Sequence, residues 1–167
     1  MEILLAKNAG FCFGVRRAVE TAKSAVKEKR SKDPGAVVYT YGELIHNRTV
    51  VEELRKEGIV PIDSLESIKE GDSVVIRSHG VGERVYDILR ARGANMIDAT
   101  CPFVANIHRI VNAAYAGGER VFIVGDKNHP EPIGINGFSP PPPQSIAPTD
   151  DLETPKGKEG TSAAPTT

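Results

Sequence analysis

The sequence predicts an α/β protein of repeated strand–helix modules with mostly parallel sheets. Three observations carry that prediction. Short runs rich in Val and Ile alternate with longer stretches whose apolar residues recur at helical spacing. Strands that alternate with helices pair in parallel through right-handed crossovers. And residues able to do chemistry, both cysteines and three of the four histidines, fall just after the strand-like runs, on the edge where open α/β sheets bind ligands.

The elements follow in order. Residues 2–6 (EILLA) form an apolar run of strand length. Over residues 14–30, Val15, Ala18, Val19, Ala22 and Val26 share one helical face. Residues 36–41 (AVVYTY) read as a strand. Asn47 is an N-cap for a helix carrying Val50, Val51 and Leu54, which Gly58 stops. Residues 59–62 are a short strand and 64–69 a single helical turn. Residues 73–77 (SVVIR) are a strand, 83–92 (ERVYDILRAR) an amphipathic helix ended by Gly93, and 95–98 (NMID) a strand. Pro102 opens a helix through Val104, Ile107, Val111 and Ala114 that ends at Gly117 and Gly118. Residues 120–125 (RVFIVG) form the last strand.

Composition changes at Ser139. Residues 139–167 hold seven of the twelve prolines and, as large aliphatics, only Ile146 and Leu152. Such a segment buries too little apolar area to offset its ordering entropy. The organisation expected is therefore a folded unit of residues 1–138 and a Pro-rich disordered tail of residues 139–167.

Bulk properties exclude several classes. The 167 residues carry 21 Lys and Arg against 22 Asp and Glu, a net charge of −1, which offers no basic surface for nucleic acid or membrane. No apolar run approaches the roughly 18 residues that span a bilayer. The start lacks the basic-then-apolar order of a secretory signal, and two cysteines are too few for a secreted disulfide scaffold. A cytoplasmic protein is expected.

The motifs then come one by one. Cys12, in NAGFCFGVRRA, and Cys101, in DATCPFV, each precede a helix, whose N-terminal amides and dipole favour a thiolate. Gly10 and Gly14 beside Cys12 allow a bulky ligand to approach the backbone. The alternative for each is a buried structural cysteine. Two thiolates on one edge suit iron–sulfur ligation or zinc, and a redox pair fits less well because no C-x-x-C is present. His46 (GELIHN), His79 (SHGVG) and His129 (NHPE) together can bind an anion such as diphosphate, with Gly80 and Gly82 leaving amides open to phosphate oxygens. As a zinc set, three histidines and a carboxylate also suffice in number, though no H-x-x-x-H or H-E-x-x-H pair is present. Glu131, two residues after His129, suits a proton donor, with a solvated loop glutamate as the alternative. His108, inside a helical stretch, reads as a partly buried or surface histidine.

These motifs, AGFCFGVRRAVE, YTYGELIHNRTVVEELRKEGI, VVIRSHGVG, IDATCPFV and GDKNHPEPIGINGF, run in order to Phe138. Jointly they resemble the N-terminal half of the 4-hydroxy-3-methylbut-2-enyl diphosphate reductases, the iron–sulfur enzymes that end the methylerythritol phosphate route to isoprenoids. The resemblance implies three α/β modules around a central cluster, of which this chain has one complete and part of a second. It implies reductive removal of the substrate's allylic hydroxyl to give isopentenyl and dimethylallyl diphosphates, with electrons from a small carrier such as ferredoxin or flavodoxin. It makes Cys12 and Cys101 two of three thiolate ligands to a 4Fe–4S cluster, His46, His79 and His129 substrate-binding residues, and Glu131 the proton donor.

The chain also departs from that pattern. The family's third cysteine, and its threonine and Ser/Asn-rich diphosphate loop, lie in a part with no counterpart here, and residues 139–167 do not resemble the family. The expectation is a reductase impaired by truncation; the alternative is a non-catalytic fragment with at most weak diphosphate or metal binding.

Overall fold

The computed structural model describes residues 2–4, 6–7, 9–138 and 144–146. In chain order the elements are α1 (Phe13–Lys32), β1 (Val38–Tyr41), α2 (Arg48–Lys56), β2 (Ile59–Ile62), β3 (Ser73–Ile76), α3 (Glu83–Ala91), β4 (Asn95–Asp98), α4 (Pro102–Ala116), β5 (Phe122–Val124), α5 (Pro130–Asn136) and β6 (Gln144–Ile146). No helix among the described residues is long and apolar enough to cross a membrane.

The main sheet is fully parallel in the order β2-β1-β3-β4. Its central strand β3 is buried along its whole length, and period-two alternation divides its side chains between the two faces. Val75 joins Ala18, Ala22, Val26, Val51 and Leu54 from α1 and α2, whereas Val74 and Ile76 join Leu65, Ile68 and Leu89 on the α3 side. Each fully buried aliphatic side chain stabilises the fold by about 1.5–3 kcal/mol. Helix α1 lies close to the sheet because Gly14, Ala18, Ala22 and Val26 recur every four residues, small side chains on one face.

Several ends are set locally. The Asn47 side chain caps α2 by accepting from the Val50 amide at 3.2 Å. Gly58 (φ +92°) and Gly93 (φ +67°) turn the chain out of α2 and α3 in the left-handed conformation glycine adopts without strain.

The structure departs from or adds to the sequence reading in several places. Glu2–Leu4 are not in a strand, and Ile3 and Leu4 are 76% and 85% exposed, so the expected pairing of residues 2–6 has no partner among the described residues. Residues 64–69 form turns instead of a helical turn; the Ser64 hydroxyl accepts from the Glu66 amide and competes with a helical pattern. Strand β5 does not extend the main sheet. It pairs in parallel with β6 in a second sheet, through the crossover helix α5. Helix α5 itself was not expected in a segment with two prolines and a glycine. Pro130 and Pro132 fall in its first turn, where backbone N–H groups have no helical acceptor, so neither proline breaks a bond. The tail expected to be disordered starts at Ser139; within it β6 is a strand, and the rest lies outside the described residues.

Candidate functional site

The order β2-β1-β3-β4 places the topological switch point between β1 and β3, since the chain leaves β1 toward one edge of the sheet and β3 toward the other. Ligands bind at the carboxyl ends of strands at such a point. His46 lies in the loop that leaves β1, just before the Asn47 cap of α2. His79 lies in a tight turn that leaves β3, closed by the Gly80 amide donating to the Arg77 carbonyl at 3.0 Å.

His129 arrives from the second sheet. It is the N-cap residue of α5, and its Nδ1 accepts from the Glu131 amide at 3.2 Å. That bond occupies Nδ1 and leaves Nε2 as the ring nitrogen available to a ligand. What carries α5 to the His79 loop is a set of glycines. A Cβ on Gly134 would lie 3.3 Å from the His79 carbonyl oxygen and 3.4 Å from the Gly80 carbonyl carbon. Gly82 and Gly137 meet backbone to backbone, and the Glu83 amide donates to the Gly137 carbonyl at 3.1 Å. Side chains at these positions would hold the helix off.

The result is a triangle of imidazoles. Ring centroids are 4.7 Å apart for His46 and His79, 5.3 Å for His46 and His129, and 5.4 Å for His79 and His129. His79 is held well below the usual imidazole range, at about 4, first by burial and then by the neighbouring His46, Arg77 and His129. Its Nδ1 is buried and has no hydrogen-bond partner among the described residues. One potential ligand atom from each ring lies within 4.8 Å of the others. Such a set serves two chemistries: ring N–H groups donate to an anion, and ring lone pairs bind a divalent ion.

The thiols sit at two helix starts. Cys12 is the N-cap residue of α1 and Cys101 that of α4, and neither side chain caps its helix. Both are free, Cys12 exposed and Cys101 half-buried. Gly14 forms a cradle against Cys101: a Cβ there would lie 2.6 Å from the Cys101 sulfur. The Cys101 amide donates to the Ser78 carbonyl at 2.9 Å, so the thiol's turn is bonded to the residue before His79. Unpartnered thiols at helix N-termini, beside a glycine that clears space, are a donor set suited to the soft iron of an iron–sulfur cluster. The whole sequence holds two cysteines, so at most two thiols of this chain are available to such a group. Glu131 is half-buried in the first turn of α5.

Some contributors were not legible beforehand. Arg17, on α1, donates to the Thr100 carbonyl at 2.9 Å and to the Asp98 carbonyl at 3.5 Å, tying the helix that starts at Cys12 to the turn that ends at Cys101. Arg77, its Nε buried, packs against Gly42. His108, expected to be partly buried or at the surface, is instead fully buried, at 6% exposure, because α4 turns it inward against Gly80 and Phe138. In GVRRAVE and in the helical stretch around His108, spacing alone shows no partner for either side chain; the close glycine pairs of SHGVG and GINGF were the one available signal.

A protein-family model described as LytB protein matches residues 3–164. That match runs past Phe138, where the sequence reading had ended the likeness. The 4-hydroxy-3-methylbut-2-enyl diphosphate reductase of Thermoanaerobacter sp. (strain X514) is 48% identical over 140 residues, 83% of this chain and 47% of that protein. The protein of that name from Aquifex aeolicus (strain VF5) is 45% identical over 138 residues, 83% of this chain and 46% of its own. The chain thus spans about half the length of the curated relatives it matches. Among solved structures, one titled as (E)-4-hydroxy-3-methyl-but-2-enyl diphosphate reductase, the terminal enzyme of the non-mevalonate pathway, superposes with a TM-score of 0.71 at 41% identity, over 90% of this chain and 51% of that one. The E-1-hydroxy-2-methyl-but-2-enyl-4-diphosphate reductase of Plasmodium falciparum gives a TM-score of 0.78 at 29% identity, over 84% of this chain and 42% of its own.

Proposed function

This chain belongs to the LytB protein family, and from that premise we propose that it carries the imidazole and two-thiolate part of a 4-hydroxy-3-methylbut-2-enyl diphosphate reductase site. The observation that carries the reading is the meeting of His46, His79 and His129 at the switch point of the sheet. In this reading the three rings hold the substrate's diphosphate by donating N–H bonds to its oxygens. His79 gains a partner for its buried Nδ1, and an anion offsets the repulsion from His46, Arg77 and His129 that opposes charge on His79.

The overall reaction exchanges the allylic C–O bond for a C–H bond, with two electrons and two protons consumed and water released. Cys12 and Cys101 are the ligands this chain offers a 4Fe–4S cluster, which when bound supplies electrons and a Lewis-acidic iron for the departing oxygen. Glu131 delivers a proton from the start of α5. The products are isopentenyl and dimethylallyl diphosphates, and the reductant is a small carrier of the ferredoxin or flavodoxin kind.

The count of two cysteines favours a second reading for the chain in isolation, a non-catalytic fragment that binds diphosphate or metal weakly. Two experiments separate the readings. Pyrophosphate titration and anaerobic reconstitution with iron and sulfide are expected to give binding and, with a complementing fragment that supplies a third thiolate, cluster absorption. Absence of both removes the reductase-site assignment. Turnover of the allylic diphosphate by the purified chain is expected to be slight, and substantial turnover excludes the fragment reading.

A further inference from the structure

His108 lies outside the triangle of imidazoles, yet it lies beside the segments that carry His79 and Cys101. It projects from α4, the helix that Cys101 begins. A Cβ on Gly80, the residue after His79, would lie 2.5 Å from the His108 Cε1 and 3.2 Å from the methyl of Thr100, the residue before Cys101. The His79 loop, the Cys101 turn and the His108 ring therefore converge at one point, which stays open only because Gly80 has no side chain. The ring also packs against Phe138, centroids 4.4 Å apart and planes 32° apart. Phe138 closes the segment that begins at His129, its amide bonded to the Ile135 carbonyl. The ring is buried, and its Nε2 has no hydrogen-bond partner among the described residues. Burying an unpartnered ring nitrogen costs stability, and an aliphatic side chain would fill the same volume without that cost.

We propose that His108 is a positioning residue that sets the separation between the loop carrying His79, the turn carrying Cys101 and the far end of the helix carrying His129. It acts through packing, as a flat ring set against both Gly80 and Phe138, and does not itself touch substrate. The proposal rests on the reading of the three histidines and two thiols as one site.

The test uses the full chain, with inorganic pyrophosphate as the probe. Pyrophosphate affinity is measured by calorimetry, and the imidazole NMR signals of His46, His79 and His129 are recorded without ligand. For His108→Ala, studied well below its melting temperature, affinity is expected to fall by about tenfold, since small displacements of binding groups cost that much or more. The His79 signals are expected to move more than those of His46. A folded His108→Ala protein with wild-type affinity and unmoved His79 signals overturns the proposal. If wild type itself binds no pyrophosphate, the diphosphate reading fails, while the displacement of the His79 signals still decides the role of His108. Should His108→Ala not fold, Phe138→Leu removes the ring-to-ring contact and leaves the His108 ring. The same signals are expected to shift in it to a smaller degree, and unmoved signals overturn the proposal equally.

Discussion

Gly82 and Gly137 pack backbone against backbone, so closely that a Cβ on either would fall within van der Waals contact of the other's Cα. This contact, beside the bond from the Glu83 amide to the Gly137 carbonyl, docks the end of α5 on the start of α3. It is the device that brings His129 from one sheet to His79 on the other.

Gly137→Ala tests that device cleanly. Gly137 has φ −77°, which alanine adopts freely, so the only penalty is steric. Destabilisation of about 1–3 kcal/mol is expected, as for other over-packed contacts, together with weaker pyrophosphate binding. Urea unfolding and calorimetry read the two effects.

Removal of single rings tests the imidazole triangle. His46→Ala, His79→Ala and His129→Ala are each expected to lose a hydrogen bond to the anion, worth about 1.5–3 kcal/mol when the partner is charged. Pyrophosphate affinity measured by calorimetry should drop by roughly tenfold or more in each. Three variants with wild-type affinity would place the anion elsewhere.

Acid is expected to destabilise the fold. His79 is lowered from 6.5 to about 4 in the folded chain, and burial lowers His108 in the same direction. Below pH 6.5 the unfolded chain takes up protons that the folded chain does not. Stability from this source is therefore complete above pH 6.5 and declines as pH falls toward 4. Urea midpoints at pH 5 and pH 7.5 should differ in that sense, and less so in His79→Asn.

Arg17→Ala should loosen the thiol end. It removes the bonds to the Thr100 and Asp98 carbonyls that join α1 to the start of α4. A loss of about 1–3 kcal/mol is expected from a charged donor bonded to main-chain acceptors. Less cluster absorption after anaerobic reconstitution with a complementing fragment should accompany it. Unchanged absorption would show that Cys12 and Cys101 are placed without this tether.

Much of the architecture was legible because its causes are local. The apolar run of SVVI, the four-residue spacing of Ala18, Ala22 and Val26, the Asn47 cap and the Gly58 and Gly93 stops each act within a few residues. The three histidines could be picked out because each follows a strand-like run. The strand expected at residues 2–6 had the right pattern, but a strand also needs a neighbour to pair with, and Ile3 and Leu4 stand exposed instead. Helix α5 was hidden because its prolines look like breakers until their position in the first turn is known.

The sequence by itself determined which elements form and which side chains carry chemistry, since periodicity, capping and residue type are properties of short stretches. Tertiary structure alone decided how those residues meet. The order β2-β1-β3-β4 put His46 and His79 on either side of a switch point, and glycine-to-glycine contact across two sheets added His129. It also turned His108 from a bland helical residue into a ring packed against Gly80 and Phe138. The physical reason is distance along the chain. Contacts between residues 82 and 137, or 80 and 108, depend on close packing of backbones and rings whose proximity no local pattern encodes.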